Sequence, residues 1–192
     1  VIYMSTTFTE ADYENSIIEL FENMGYQHVY GPNIERDFYS PLYSDVLNEY
    51  IHRLNSSLPE EAISDAMYKI QNYENGVVQK NEVFMDYLQH GVPVRYTVDG
   101  EQCSSLAYLV DYKNVDNNSF IVANQWTFIE NSNKRPDIIL FINGIPVVLI
   151  ELKSPSREET DASEGYAQIR NYIHEIPSMF IYNCISVISD QL

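Results

Sequence analysis

The first half of the chain carries hydrophobic residues at helical spacing. After Thr9, a residue type that caps helix N-termini, apolar positions recur every three or four residues until Gly25. Acidic residues in the first turn and the glycine stop therefore predict a helix between these two positions. Three more amphipathic stretches follow, and they predict helices over about 43–54, 59–73 and 79–90, the last closed by Gly91.

The second half changes to the patterns of β-strands. Runs of β-branched and aromatic residues are separated by Asp-Gly, Asn-Asn and Asn-Gly pairs, which are turn signals. After a short extended piece at His28–Tyr30, the predicted strands are Val92–Val98, Ser105–Tyr112, Phe120–Ile129, Asp137–Ile142 and Ile145–Leu152. A helix over Tyr166–Glu175 and a last strand over Phe180–Ser189 complete the pattern.

This order of elements predicts an α/β (α+β) fold. Helices come first, an antiparallel meander follows, and one helix and one strand come last. A chain of 192 residues is the length of one large domain. We therefore expect a single domain over 1–192, with a central mixed β-sheet flanked by helices and a helical insertion over about 43–90.

Composition and charge limit the classes of function. The chain is 45% hydrophobic and 20% charged, which is typical of a globular protein and excludes disorder as its main state. Its formal net charge of −17 argues against binding nucleic acid or anionic membranes through bulk electrostatics. A local basic cleft stays open, because five of the eleven basic residues lie between Lys134 and Arg170.

Targeting signals and cysteines indicate a cytoplasmic protein. The apolar stretch Ile145–Ile150 is too short to span a bilayer, and the first residues lack the pattern of a signal peptide. Cys103 and Cys184 form neither a disulfide framework nor a zinc spacing, so a reducing compartment is expected, although their pairing stays open. Because the last predicted strand ends just before Leu192, we expect the sequence to be an N-terminal fragment of a longer chain.

The candidate chemistry lies in one predicted hairpin. A strand that begins with Asp137 is followed by an Asn-Gly turn and by an apolar strand that ends in Glu151 and Lys153. Side chains alternate along a strand, so Glu151 and Lys153 share one face while Ile150 and Leu152 point to the other.

Whether Asp137 joins that face depends on the register of the hairpin. A plain two-residue turn at Asn143-Gly144 would place Asp137 on the wrong side of the sheet. A three-residue loop with Gly144 at positive φ pairs 141 with 145 and brings Asp137 diagonal to Glu151 on the same face. The sequence therefore predicts that loop, or another one-residue offset such as a β-bulge between 137 and 151.

Two carboxylates at that spacing suit a hard divalent cation such as Mg²⁺. Lys153 adds a fixed positive charge where a phosphodiester reaction develops negative charge. Asp137, Glu151 and Lys153 together are therefore a coherent nuclease site. The alternative is purely structural: Asp137 would cap a strand, and Glu151 and Lys153 would form a solvated strand end.

The residues of this hairpin resemble a known family. Arg-Pro-Asp at 135–137 and Asn-Gly-Ile-Pro-Val-Val-Leu-Ile-Glu-Leu-Lys at 143–153 are similar to the PD-(D/E)xK nuclease motif in the N-terminal domain of type I restriction enzyme R (restriction and motor) subunits. Further matches are spread along nearly the whole chain. They comprise Glu14 ahead of Gly25-Tyr26, Asn81 to Val94, Asn124-Gln125-Trp126, and Gln168 with Tyr172 in a Gln-x-x-x-Tyr motif.

The resemblance implies a DNA endonuclease domain with a restriction-endonuclease-like PD-(D/E)xK core. It implies that Asp137 and Glu151 hold Mg²⁺, with Glu14 as a further candidate ligand, and that Lys153 is catalytic. Gln168 and Tyr172 would contact DNA or support the active site. The implied partners are double-stranded DNA and the modification and specificity subunits, and ATP would serve only a motor beyond Leu192. Two rivals stay open: a non-catalytic DNA-binding or assembly module, and a different PD-(D/E)xK nuclease, for repair or junction resolution.

Overall fold

The helices and strands of the fold are given by a computed structural model that describes residues 9–74, 76–153 and 162–189. The α-helices are α1 (Glu10–Asn23), α2 (Ser44–Leu54), α3 (Glu60–Gln71), α4 (Val77–His90) and α5 (Ala162–Glu175). The strands are β1 (Gln27–Tyr30), β2 (Val92–Val98), β3 (Glu101–Ala107), β4 (Phe120–Asn124), β5 (Phe128–Ile129), β6 (Asn133–Lys134), β7 (Ile138–Ile142), β8 (Ile145–Leu152) and β9 (Ile185–Ser189). Short 3₁₀ helices lie at Gly31–Asn33, Val115–Asn117 and Pro177–Ile181.

A five-stranded mixed sheet lies at the centre, in the order β1-β4-β7-β8-β9. The three central strands β4, β7 and β8 pair antiparallel, whereas β1 and β9 add to the two sides as parallel strands. The predicted central mixed sheet is therefore confirmed. Within the described residues, no helix is long and apolar enough to cross a membrane.

The predicted antiparallel meander is confirmed for β4, β7 and β8 but is wrong for β2 and β3, which form a separate two-stranded hairpin. Asp99 and Gly100 have φ values of 52° and 87°, which is the positive-φ geometry of a tight two-residue turn. Pairing starts directly after it, with Val98 opposite Glu101, so β3 covers 101–107 instead of 105–112. Asn55 then binds both the backbone N–H and the backbone C=O of Tyr108, which ends the strand pairing there.

Two other predicted strands are shorter in the structure. The run over 120–129 is split at Gln125, whose φ is 54°, where the backbone passes Gly31 closely. A Cβ on Gly31 would lie 2.5 Å from the Gln125 carbonyl oxygen, so this contact requires glycine. The run over 180–189 begins as the 3₁₀ helix that follows Pro177, and only Ile185–Ser189 is a strand.

The predicted helices are present, and α1 and α5 cover opposite faces of the sheet. Thr9 and Asp12 form a reciprocal capping box at the start of α1, which confirms the predicted N-terminus. Alternate residues of the central strands separate into two clusters. Ile138, Ile150 and others pack with α1, whereas Ile139, Leu149 and others pack with α5; each cluster buries one face of the sheet.

Helices α2, α3 and α4 occupy the region of the predicted helical insertion, and they form a core with the β2–β3 hairpin. This core also reaches the turn between β7 and β8. The Tyr43 N–H donates to the Gly144 carbonyl at 2.9 Å, and a Cβ on Gly144 would lie 2.5 Å from the Leu47 nitrogen. The start of α2 is thus seated directly on the hairpin turn. That these helices are an insertion into a nuclease core stays a prediction.

Side chains of α3 cover the outer edge of β2. Asp65 accepts the Arg95 N–H at 2.9 Å, Glu61 accepts the Thr97 N–H at 2.9 Å, and the Lys69 ammonium donates to the Pro93 carbonyl at 2.6 Å. These backbone groups are the ones that a neighbouring strand would pair with. The side chains of α3 therefore satisfy an edge that would otherwise be open.

Candidate active site

The hairpin turn between β7 and β8 contains two residues. Ile142 pairs with Ile145, and the two residues between them, Asn143 and Gly144, have φ values of 49° and 80°. The predicted three-residue loop is therefore wrong, although Gly144 has the predicted positive φ. Asn-Gly is the preferred pair for a two-residue turn of this hand, and the buried Asn143 amide is fixed by hydrogen bonds to Leu109 and Asn118.

A β-bulge supplies the register offset that the turn does not. Phe141 pairs with Pro146, but Leu140 pairs with Val148, which leaves Val147 as an extra residue on β8. Pro146 has no N–H to donate to the ladder, and proline inside a sheet is found at such irregular positions. This confirms the alternative prediction of a bulge between 137 and 151. Pro146 is a signal in the sequence that could have favoured the bulge over the longer loop.

Beyond the bulge, the shifted register brings the two carboxylates together at the end of the hairpin. Ile138 pairs with Ile150, so continuing the register by one step sets Asp137 directly across from Glu151. The Leu152 N–H donates to Asp137 Oδ2 at 2.7 Å, which fixes the Asp137 side chain against β8.

Glu151 lies on the α5 side of the sheet and is only 7% exposed. The Tyr172 hydroxyl donates to Glu151 Oε2 at 3.2 Å, and the Lys153 ammonium lies 3.4 Å from Glu151 Oε1. Burial raises the pKa of Glu151 above its usual value and outweighs the opposing effects of Lys153 and Tyr172. Glu151 and Lys153 thus share a face as predicted, while Ile150 and Leu152 pack toward α1.

The pKa of Asp137 is raised further, to about 7. Burial is the main cause, and the nearby carboxylate of Glu151 is the second. The hydrogen bond from the Leu152 N–H only partly offsets these two effects. The pair is therefore a place where burial and like charge outweigh the hydrogen bonds that favour the ionised carboxylates.

Gln168 and Tyr172 lie one helical turn apart on α5 and reach the same pair. Burial and then the charge of Glu151 raise the pKa of Tyr172, whereas a hydrogen bond with Gln168 lowers it. The structure thus links Gln168 to Glu151 through the Tyr172 hydroxyl. Their predicted contact with DNA stays a prediction.

Glu14 lies on α1 and is held by two amides. It accepts from Asn124 Nδ2 at 2.6 Å and from Gln125 Nε2 at 3.2 Å. Across 9–74, 76–153 and 162–189, no three His, Cys, Asp or Glu side chains are grouped so that they could hold a metal ion. The negative charge of Glu14 nevertheless contributes to the raised pKa of Asp137, and its role as a further ligand stays a prediction.

Glu10 is a residue of this region that the sequence reasoning missed. Its negative charge contributes to the raised pKa values of both Asp137 and Glu151. Glu10 lies four residues before Glu14, and such residues share a helix face, so the spacing alone could have identified it.

The two facing carboxylates fit a hard divalent cation by their chemistry. Both are oxygen donors whose pKa values are raised by burial, so a positive ion between them would relieve the cost of ionising them. Mg²⁺ commonly binds one or two carboxylates and keeps several waters, which does not require a third protein ligand.

Comparison with known proteins identifies the family. Residues 7–192 match the family described as the N terminus of the type I restriction enzyme R protein. The chain belongs to this family. The predicted resemblance is therefore confirmed, and the match of the R-protein N-terminal family runs over nearly the entire sequence.

Relatives of the R-protein N-terminal family agree with this assignment. The chain is 33% identical to the type I restriction enzyme HindI endonuclease subunit of Haemophilus influenzae, over 94% of this chain and 18% of that protein. It is 30% identical to the putative type I restriction enzyme MjaIXP endonuclease subunit of Methanocaldococcus jannaschii, over 93% of this chain and 18% of that protein. The chain thus spans about a fifth of the length of these relatives.

Proposed function

We propose that this chain is the metal-dependent DNA endonuclease domain of a type I restriction enzyme R subunit, with a PD-(D/E)xK core. The observation that carries the proposal is the bulged hairpin, which sets Asp137 across from Glu151 and leaves Lys153 beside Glu151. The substrate would be a phosphodiester bond of double-stranded DNA.

In this proposal Asp137 and Glu151 would hold Mg²⁺. The bound ion would lower the pKa of water and screen the phosphate charge. Lys153, beside Glu151, orients the attacking water and stabilises negative charge on the phosphate oxygens. The Tyr172 hydroxyl holds Glu151 in position through its hydrogen bond, and Gln168 holds Tyr172.

Membership of the family supports a proposal for the compartment and the partners of the domain. A type I restriction enzyme R subunit would work in the cytoplasm, with modification and specificity subunits as its partners. ATP would be used by motor domains outside these 192 residues. Family membership disfavours a repair or junction-resolving nuclease, whereas a non-catalytic DNA-binding or assembly module is an outcome that experiment decides.

Metal-linked stability tests the site in the isolated chain. An ion that binds only the folded state adds about 2.7 kcal/mol at a hundredfold excess over its Kd, which raises the Tm by roughly 5–10 °C. We expect Mn²⁺ and Mg²⁺ to raise the Tm of the wild-type chain in this way. Asp137→Ala should lose the rise, whereas Asp65→Ala, which removes a carboxylate of α3 that contacts Lys69 and Arg95, should keep it. An equal metal response in all three proteins contradicts the proposed site.

A DNA cleavage assay distinguishes a nuclease domain from a non-catalytic module. In the isolated chain, Lys153→Ala should keep the metal-dependent rise in Tm, because Lys153 is not a metal ligand. In the assembled restriction enzyme, the same variant should lose DNA cleavage, because Lys153 acts on the reaction. The measurement is the conversion of supercoiled plasmid to nicked and linear forms. Normal cleavage by Asp137→Ala would favour the non-catalytic module.

A further inference from the structure

Three cations lie in the segments that lead to the carboxylate pair, and two of them are already neutralised. Lys134 Nζ lies 2.5 Å from Glu175 Oε2, and Lys153 is paired with Glu151. Arg135 is exposed, and it has no hydrogen bond, ion pair or aromatic contact with any residue in the described ranges. Among the three, Arg135 is therefore the cation whose charge and donors are not shared with a carboxylate of the described residues.

The backbone holds Arg135 beside the site. Two residues of chain span at most about 7 Å, so the Arg135 backbone lies next to Asp137. Pro136, between them, is buried and has a fixed φ, and a residue that precedes proline is confined to extended conformations. The start of the Arg135 side chain is thus positioned with little backbone freedom, while the guanidinium faces solvent.

We propose that Arg135 binds a phosphate group of the DNA. This phosphate group would be the neighbour, along the strand, of the phosphate group at which cleavage occurs. This inference rests on the proposed function and names a residue that seats its substrate. The guanidinium offers paired donors that match the oxygens of a phosphate, which a lysine ammonium does not.

The charge balance of the chain supports a DNA phosphate as the ligand. The net charge is −17, and the negative charges of Glu151, Glu10 and Glu14 all act on Asp137. A polyanion that approaches these carboxylates is repelled unless a cation at the entrance offsets the charge. Lys134 and Lys153 each lie beside a carboxylate, whereas Arg135 is exposed beside Asp137 and can offset the charge of the neighbouring phosphate.

Salt-dependent DNA binding tests the inference on the isolated chain. The probe is a short labelled duplex with Ca²⁺, and the Kd is measured between about 50 mM and 200 mM salt. We expect Arg135→Ala to weaken binding by about tenfold at low salt and to reduce the slope of log Kd against log salt by about 0.9. Arg135→Lys should keep the slope, because it keeps the charge, but should bind more weakly than the wild type. Arg95→Ala is the matched control: it removes an exposed arginine on the β2–β3 hairpin and should change neither quantity.

The outcomes distinguish this inference from the proposed function. If Arg135→Ala has the same slope as the wild type and Arg95→Ala, or if the wild-type chain does not bind the duplex at low salt, the role of Arg135 is overturned. The second result would favour a contact with an acidic partner protein instead. The proposed function fails independently, through a metal response that survives in Asp137→Ala.

Discussion

Two groups of carboxylates in this protein have opposite electrostatic surroundings. On α3, Asp65 and Glu61 accept backbone N–H groups of β2, and Asp65 also accepts from Lys69 at 2.9 Å. At the end of the β7–β8 hairpin, Asp137 accepts the backbone N–H of Leu152 and faces Glu151. The first group stabilises an edge of a hairpin, whereas the second holds like charges together.

The pKa values show the result of this difference. Burial tends to raise the pKa of Asp65, but the hydrogen bonds from Lys69 and the Arg95 N–H outweigh it, so the pKa is lowered. For Asp137, burial and the charge of Glu151 dominate, and the pKa rises to about 7. The comparison teaches that the balance between burial and donors decides the sign: at Asp65 the donors outweigh burial, whereas at the sheet end burial and like charge outweigh the donors, which a bound cation would offset.

The largest effect is expected where the α2–α4 core meets the hairpin that carries the carboxylate pair. Gly144→Val combines a positive φ with overlap between the new side chain and the backbone of α2, so we expect a loss of about 3 kcal/mol or more in the free energy of unfolding. Because this turn joins the two regions, metal binding at the sheet end should weaken as well.

The matched control for Gly144 is Gly100, which ends the turn between β2 and β3. It has a φ of 87°, and no atom lies within 4 Å of the position that a Cβ would occupy there. Gly100→Val should therefore cost only the backbone strain, about 1–2 kcal/mol. Denaturant unfolding of both variants measures the difference, and equal losses would show that α2 does not restrict the hairpin turn.

The next prediction is that Asp137→Asn stabilises the protein, whereas a mutation in a buried site usually destabilises it. The folded-state pKa of Asp137 is raised, so its contribution to stability is full below the unfolded-state pKa and is lost as the pH rises through about 7. Asp137→Asn removes that loss and can still accept the Leu152 N–H. At pH 8 without metal, we expect it to raise the free energy of unfolding by about 2 kcal/mol.

The pH dependence checks the cause of this stabilisation. The gain from Asp137→Asn should disappear near pH 4, where the folded state keeps the aspartic acid protonated at little cost. Urea unfolding at the two pH values measures it. A gain that is the same at both pH values would assign the effect to packing and not to the raised pKa.

The smallest effect is expected at Asp65, where removing the charge should destabilise the protein. The lowered pKa of Asp65 contributes stability that is present above the unfolded-state pKa and is lost as the pH falls through the folded-state pKa. Asp65→Asn keeps an acceptor for the Arg95 N–H but loses the charge that pairs with Lys69. We expect a loss of about 0.5 kcal/mol at neutral pH, as for other exposed ion pairs, and none in strong acid. Stabilisation by this variant at neutral pH would contradict the contrast between the two groups.

The parts of the fold that the sequence predicts well are set by local signals. Thr9, Gly25 and Gly91 mark helix ends because caps act within one turn, and the structure has helix ends at these positions. The pattern over 120–129 predicts a continuous strand, and its break depends on the close approach of Gly31, which is distant in the sequence. Contacts of this kind leave no local pattern.

In the candidate site, too, some features follow from local signals and others do not. The alternation that sets Glu151 and Lys153 on one face follows from strand geometry alone. The position of Asp137 required the register, and two local signals favoured different answers: the Asn-Gly pair favours a two-residue turn, and Pro146 favours an irregular ladder. Both features are present in the structure: the turn contains two residues, and the bulge next to Pro146 sets Asp137 on the same face as Glu151.

The two Asn-Gly and Asp-Gly turns have different consequences for insertion of foreign sequence. The turn at Asp99-Gly100 has open space around its glycine, so a reporter peptide or an affinity tag placed there would extend into solvent. The turn at Asn143-Gly144 has the same positive-φ backbone but lies beneath the start of α2, with its asparagine 1% exposed. Added residues there would have to displace a helix. We therefore expect length variation among natural relatives and engineered variants to be tolerated at the first turn and excluded from the second.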